Sequence, residues 1–265
     1  MQLLTYLHDP DNLYLPIIKT TKFSATVNNS IIAISPTTTQ DIRDVISKLP
    51  FEVIEGGLYG TARINLIKHA IKKTDGNNFF VCDFDKLLHW LKTNPEEFED
   101  IFNRVITADL TVIGRSTRAL ATYPDTWVQT ENIATSILAK ITKKRLDFMN
   151  GPIILSSAAA KLIANSAKEQ GVGSCAEFCL MINQANLTIE NLEVDGLTWE
   201  DPDRYKQLID RAASYDDWKY DTYNSLYEWR KRVDFLNTQV EVMIRMSEEP
   251  INPKYPVVHN RTLEN

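Results

Sequence analysis

The chain predicts an α/β fold: a mostly parallel central sheet with flanking helices, followed by a C-terminal helical appendage. Three observations lead there. Strand-length apolar runs recur through the first half and alternate with segments of helical periodicity. The run at residues 79–82 is apolar throughout, as a strand covered on both faces requires. The spacing between runs leaves room for a crossover helix in most connections, which is the layout of a parallel sheet.

Residues 2–7 read as the first strand, stopped by His8-Asp9-Pro10. Residues 31–35 form the second, closed by Pro36, which has no amide to donate to a ladder. A helix opens at Thr39 or Gln40 and runs to about Leu49. Residues 51–54 are the third strand, ending in Glu55-Gly56-Gly57. Between Thr61 and Lys73, Ile64, Ile67 and Ile71 fall at i, i+3 and i+7 on one helix face. Asp75-Gly76-Asn77-Asn78 is turn chemistry, residues 79–82 are the fourth strand and residues 110–113 the fifth. Helices follow over 125–143, 157–168 and 177–185, then a strand over 187–194. Beyond Trp199 strands disappear: Pro202 opens a helix to about Ala213, and a longer one spans 220–246. In that helix Leu226, Trp229, Val233, Leu236, Val240 and Met243 repeat at heptad period. The seam packs on its own domain or forms a homodimer contact. The expected organisation is a domain over 1–200, a helical appendage over 201–247 and a proline-containing tail over 248–265.

Composition narrows the function. The chain has 265 residues, 43% hydrophobic and 24% charged, ordinary for a globular protein with a sizeable core. A net charge of −6 argues against a duplex nucleic acid partner. No apolar run reaches the ~18 residues of a membrane helix, so no transmembrane segment is expected. The N-terminus shows no secretory pattern, and the three cysteines (Cys82, Cys175, Cys179) are odd in number, so a cytoplasmic protein with reduced thiols is expected. His8, His69, His89 and His259 make no metal-ligand spacing, and no G-x-S-x-G is present.

Ligands of open α/β sheets gather at the carboxyl ends of the parallel strands. Three segments sit there. Asp83 and Asp85 follow the fourth strand, and strand alternation would send both side chains the same way. Two such carboxylates repel unless joined by a hard divalent cation, magnesium or manganese. The alternative is that Asp85 caps a helix beginning near Lys86 while Asp83 is solvated. Gly56 and Gly57, in the turn Glu55–Gly60, precede a helix and would let backbone approach a phosphate. Glu177 follows the glycine loop 171–173, where it is either a proton acceptor or a first-turn glutamate favoured by the helix dipole. Arg115 and Arg118 follow the fifth strand and would neutralise a diphosphate; Lys143-Lys144-Arg145 is a second basic run or a solvated turn.

In their order these pieces resemble a GT-A-fold (Rossmann-like) glycosyltransferase, similar in layout to dolichyl-phosphate mannose synthases and other nucleotide-diphospho-sugar transferases. The resemblance covers about residues 1–200. It implies transfer of a sugar from a nucleotide-diphosphate donor to a small-molecule or glycan acceptor, with Asp83 and Asp85 as the D-x-D holding Mn or Mg. Gly151, in Asn150-Gly151-Pro152, matches the glycine of the family's S-G-F stretch, and Glu177 matches its acidic residue near the acceptor, the catalytic base if configuration inverts. Donor contacts fall to Asp9, Gly56, Gly57, Asp83, Arg115, Arg118 and Gly151, and His259 is the candidate third metal ligand if the tail folds back. The sequence departs from the pattern at His8-Asp9-Pro10, where Pro and Asn are usual, and lacks a basic residue across 171–176. Two rivals stand beside this reading: a nucleotidyltransferase, whose Arg/Lys-bearing glycine loop is absent from 8–16, and a non-catalytic nucleotide-sugar-binding module. Tyr205, Tyr215, Trp218, Tyr220, Tyr223 and Trp229 either line an acceptor groove or pack the appendage.

Overall fold

The computed structural model describes residues 1–23, 27–73 and 78–247. Its sheet contains β1 (Gln2–Leu7), β2 (Ser30–Ile34), β3 (Phe51–Glu55), β4 (Phe79–Asp83), β5 (Leu110–Arg115), β6 (Ile153–Leu155) and β7 (Ile189–Val194). The strand order is β3-β2-β1-β4-β6-β5-β7. All neighbours are parallel except β6, which runs antiparallel to both β4 and β5. The sequence reading missed β6, because three residues behind Pro152 are too short to show a period.

The helices are α1 (Leu15–Thr20), α2 (Gln40–Ile46), α3 (Tyr59–Lys73), α4 (Phe84–Thr93), α5 (Pro95–Asn103), α6 (Thr117–Leu120) and α7 (Asp125–Thr142). They continue with α8 (Ser157–Ser166), α9 (Ser174–Gln184), α10 (Asp201–Arg204), α11 (Lys206–Ile209), α12 (Tyr215–Tyr223) and α13 (Leu226–Ser247). Strand alternation sorts the core into two layers. Leu4, Ile31, Ala33, Phe79 and Val81 face the layer of α3, α7, α8 and α9. Leu3, Leu7, Ile32, Ile34, Phe80 and Cys82 face α2, α4 and α5. Cover on both faces is why β4 and β6, at the middle of the sheet, carry almost no polar residue.

The C-terminal part differs from the sequence reading. The expected 202–213 helix is two short turns, α10 and α11. The expected 220–246 helix breaks at Asn224-Ser225, where the Ser225 hydroxyl accepts the Glu228 amide at 3.2 Å and starts α13. The buried residues of α13 are Glu228, Arg232, Gln239, Val242 and Met243; of the heptad seam Met243 is buried and Leu236 packs on the core, while Leu226 is 88% exposed. The buried polar residues have partners on α7 and in the loop before α9, while Val242 and Met243 join the α3–α9 core layer. Trp218 and Tyr223 are buried in an aromatic cluster with Tyr123 and Trp199, so these two pack rather than line a groove. No helix among the described residues is long and apolar enough to cross a membrane. The Asp75-Gly76-Asn77 turn, the 248–265 tail and His259 lie outside the described residues.

Candidate active site

A cavity of about 700 Å³ opens at the carboxyl ends of β1 to β4. Tyr6 and His8 line it from β1, Ser35 to Thr37 from β2, Gly57 and Tyr59 from the β3–α3 turn, and Asp83 and Asp85 from the β4–α4 junction. Tyr14 and Arg204 complete the wall. A second cavity of about 300 Å³ lies inward and shares Tyr59, Asp83 and Asp85 with the first. Lys86, Tyr123, Asn150, Glu200 and residues of α7 and α13 line it.

The two aspartates converge, though not by strand alternation alone. Asp83 ends β4 and flanks α4, and Asp85 stands in the first helical turn. One Asp85 oxygen accepts the Lys86 amide at 2.8 Å; the other accepts the Tyr14 hydroxyl at 3.4 Å. The Tyr59 hydroxyl donates to Asp83 Oδ2 at 3.0 Å. Behind it, the buried Arg63 donates to Tyr59 Oη at 3.0 Å and to the Gly151 carbonyl at 2.6 Å. Gly151 sits at φ 104°, and a Cβ there would lie 2.8 Å from Asp83 Oδ2. Burial pushes the Asp83 carboxyl up to about 6; the Arg63 guanidinium opposes the rise and the neighbouring Asp85 charge adds to it. Burial therefore weighs against an ionised Asp83 unless a cation lies close by. This all-oxygen donor set suits a hard divalent ion with further ligands from substrate. Among the described residues no group of three or more His, Cys, Asp or Glu side chains could hold a metal alone.

Several expected site residues have other work. Asp9 does not line the cavity: its buried carboxylate accepts the amides of Asp11, Leu13 and Tyr14, the shortest at 2.8 Å, and so shapes the loop after β1. Gly56 also stays out of it; a Cβ there would press on the Ile34 carbonyl at 3.0 Å and on the Tyr6 ring. Arg118 is exposed and pairs with Asp195 at 2.9 Å. Arg115 does not line the outer cavity, and carboxylates absorb its guanidinium: Nε and Nη2 donate to Asp147 at 2.8 and 2.6 Å, and Nη2 to Glu131 at 2.6 Å. Gly151 acts by close approach to Asp83.

Glu177 is a correction of the same kind. It is buried, lines neither cavity, and accepts the Lys168 amide at 2.9 Å and the Glu169 amide at 2.9 Å. The loop it holds meets α3: the Gly60 amide donates to the Gln170 carbonyl at 2.9 Å, and a Cβ on Gly60 would lie 2.5 Å from the Glu169 carbonyl oxygen. Two glycine segments read separately in the sequence are thus one junction. Glu177→Gln, which keeps one acceptor oxygen, is expected to cost about 1 kcal/mol in urea unfolding and to leave turnover unchanged. A fall in turnover of about 10²-fold at full stability would restore Glu177 as a base.

Sequence reasoning missed Tyr6, Tyr14, Ser35, Tyr59, Arg63 and Arg204. Ser35 to Thr37 carried a usable signal, since they close the second strand at its carboxyl end. Arg63 carried none, because an arginine within an amphipathic helix reads as solvated until Gly151 is found 88 positions away.

No protein-family model matches the chain, and no curated protein matches it in sequence. Solved structures do match in fold. Glucosyl-3-phosphoglycerate synthase from Mycobacterium tuberculosis, solved with Mn2+, uridine diphosphate and phosphoglyceric acid, superposes with a TM-score of 0.52 at 12% identity. The match covers 94% of this chain and 79% of that one. A mycobacterial protein superposes with a TM-score of 0.53 at 14% identity over 94% of this chain and 75% of its own. At such identities the likeness is one of architecture: this chain has the GT-A fold of nucleotide-sugar glycosyltransferases.

Proposed function

We propose that the protein is a metal-dependent glycosyltransferase that moves a sugar from a nucleotide-diphosphate donor to a hydroxyl acceptor. The observation that carries this reading is the convergence of Asp83 and Asp85 where the two cavities meet, with Gly151 pressed against Asp83. Mn2+ and uridine diphosphate bound to the mycobacterial synthase of the same fold support it. On this reading the outer cavity takes the donor, with its base and ribose toward His8, Ser35 and Thr37 and its diphosphate toward the aspartates. The inner cavity takes the acceptor. Asp83 and Asp85 would hold a divalent ion, which supplies stabilisation of negative charge on the departing diphosphate. Tyr59 and Arg63 fix the Asp83 oxygen, and Tyr14 and the Lys86 amide fix Asp85, so the carboxylates need little reorganisation when charge develops.

Asp85→Ala is expected to abolish Mn2+-dependent binding of uridine or guanosine diphosphate in calorimetry while the thermal transition stays in place. Unchanged nucleotide affinity in that variant would remove the metal role. One observation favours the non-catalytic module as a second reading: beside the aspartate pair, the carboxylates lining the inner cavity, Glu131 and Glu200, are both tied to cations. Burial opposes ionisation of Glu200, but the Lys86 ammonium at 2.8 Å outweighs it and holds its carboxyl below the usual range, which makes it a weak base. Hydrolysis of a nucleotide-sugar panel with Mn2+ separates the two, since a binding module shows affinity without turnover.

A further inference from the structure

The donor reading leaves a charge unanswered. One divalent ion balances Asp83 and Asp85 and leaves nothing over for a diphosphate, and the arginines after β5 do not reach the outer cavity. Among the described residues lining it, Arg204 is the one lysine or arginine. We infer that Arg204, carried by α10 beyond the last strand, is the cation that binds the donor diphosphate. The inference rests on the reading of the outer cavity as the donor site.

Three features place Arg204 for that task. Its guanidinium lies 5.3 Å over the Tyr14 ring and 5.4 Å from the Tyr205 ring, and Tyr14 Oη also reaches Asp85. The same tyrosine therefore spaces the cation from the carboxylate. Nη2 forms an ion pair with Asp201, itself fixed by the Tyr223 hydroxyl at 2.6 Å, but where the Arg115 side chain is 1% exposed that of Arg204 keeps 21%, at the wall of the outer cavity. Nε is buried without a partner. A guanidinium held from one side keeps its remaining donors in a planar fork, the shape that meets phosphate oxygens in pairs.

The helix that carries the aspartate pair also anchors this arginine's segment. On α4, Lys86 Nζ donates to Glu200 at 2.8 Å, His89 Nδ1 bonds Asp203 at 2.6 Å and Lys92 Nζ donates to Asp203 at 2.6 Å. Asp85 and Arg204 are thus positioned by one rigid element, although 119 positions separate them in the sequence. The segment after β7, which the sequence reading set aside as an appendage, becomes the outer wall of the donor site.

The test is calorimetry of the full chain with Mn2+, using uridine and guanosine diphosphates and the nucleosides uridine and guanosine as probes. Arg204→Met is expected to weaken diphosphate binding roughly tenfold or more while nucleoside affinity stays put. Arg204→Lys, which keeps the charge and loses the fork, should fall between. A melting curve monitors folding; if Arg204→Met melts far below wild type, Arg204→Lys carries the comparison. Diphosphate and nucleoside affinities falling together, or diphosphate affinity unchanged, would overturn the assignment. Failure of the wild-type protein to bind either diphosphate would overturn the donor reading itself, and so is told apart from failure of Arg204 alone.

Discussion

Gly151→Ala is expected to abolish the proposed Mn2+-dependent binding of nucleoside diphosphate in a chain that still folds. The backbone at Gly151 has φ 104°, a conformation that side chains rarely tolerate. A Cβ would stand 2.8 Å from Asp83 Oδ2, inside van der Waals contact, so the carboxylate or the loop has to move. The loop is pinned by Arg63, whose Nη2 holds the Gly151 carbonyl at 2.6 Å. The carboxylate yields first, losing its Tyr59 hydrogen bond and its convergence with Asp85. Backbone strain of this kind costs about 1–3 kcal/mol, which lowers the melting temperature without unfolding a domain of this size. Calorimetry with Mn2+ and uridine or guanosine diphosphate reads the binding. Wild-type affinity in the alanine variant would mean that Asp83 is not a metal ligand.

The second large effect is on stability. Arg115→Met is expected to destabilise the fold by about 3 kcal/mol in urea unfolding, because it removes the cation paired with half-buried Asp147 and one of the two paired with buried Glu131. Arg115 is 5% exposed and bridges Asp147 and Glu131; Glu131 also accepts from Arg232 of α13. Burial works against ionised Asp147, but the Arg115 guanidinium outweighs it and holds its carboxyl below the usual range. A carboxylate depressed in this way stabilises the fold above its unfolded pKa of about 3.9 and loses that contribution as pH falls through the folded value. The gap between wild type and variant should therefore be full at neutral pH and narrow in strong acid. Nucleoside diphosphate affinity, measured where the variant is folded, should match wild type. Weakened binding with intact stability would return Arg115 to the donor site.

The distribution of right and wrong readings has a physical basis. The strand at 79–82 was legible because burial on both faces leaves an unbroken apolar run, and those at 2–7 and 51–54 because short apolar-rich runs end at His8-Asp9-Pro10 and at Gly56-Gly57. The place of Asp83 and Asp85 at a strand end was legible because the apolar run before them is local. Asp9, Glu177 and Arg118 were the right residue types for a nucleotide site, yet each ended as a structural partner. A carboxylate beside a run of unsatisfied amides is captured by them wherever the loop turns inward, as at Leu13 and Lys168. The heptad seam of α13 was legible only in part: Leu236 and Met243 pack on the domain, but Trp127, Glu131 and Val172 are partners for Glu228, Arg232 and Gln239, so a polar stripe is buried as well.

The sequence by itself determined the α/β class, the six strands other than β6 and the location of the acidic pair, because each follows from a pattern within a short window. Only the tertiary structure decided which charges face the cavity. Arg63 against Gly151, Lys86 against Glu200 and Arg204 beside Tyr14 are contacts between segments far apart in the chain. Whether a buried cation is consumed by a carboxylate or left to meet a ligand depends on the chain's return path, which no local pattern encodes.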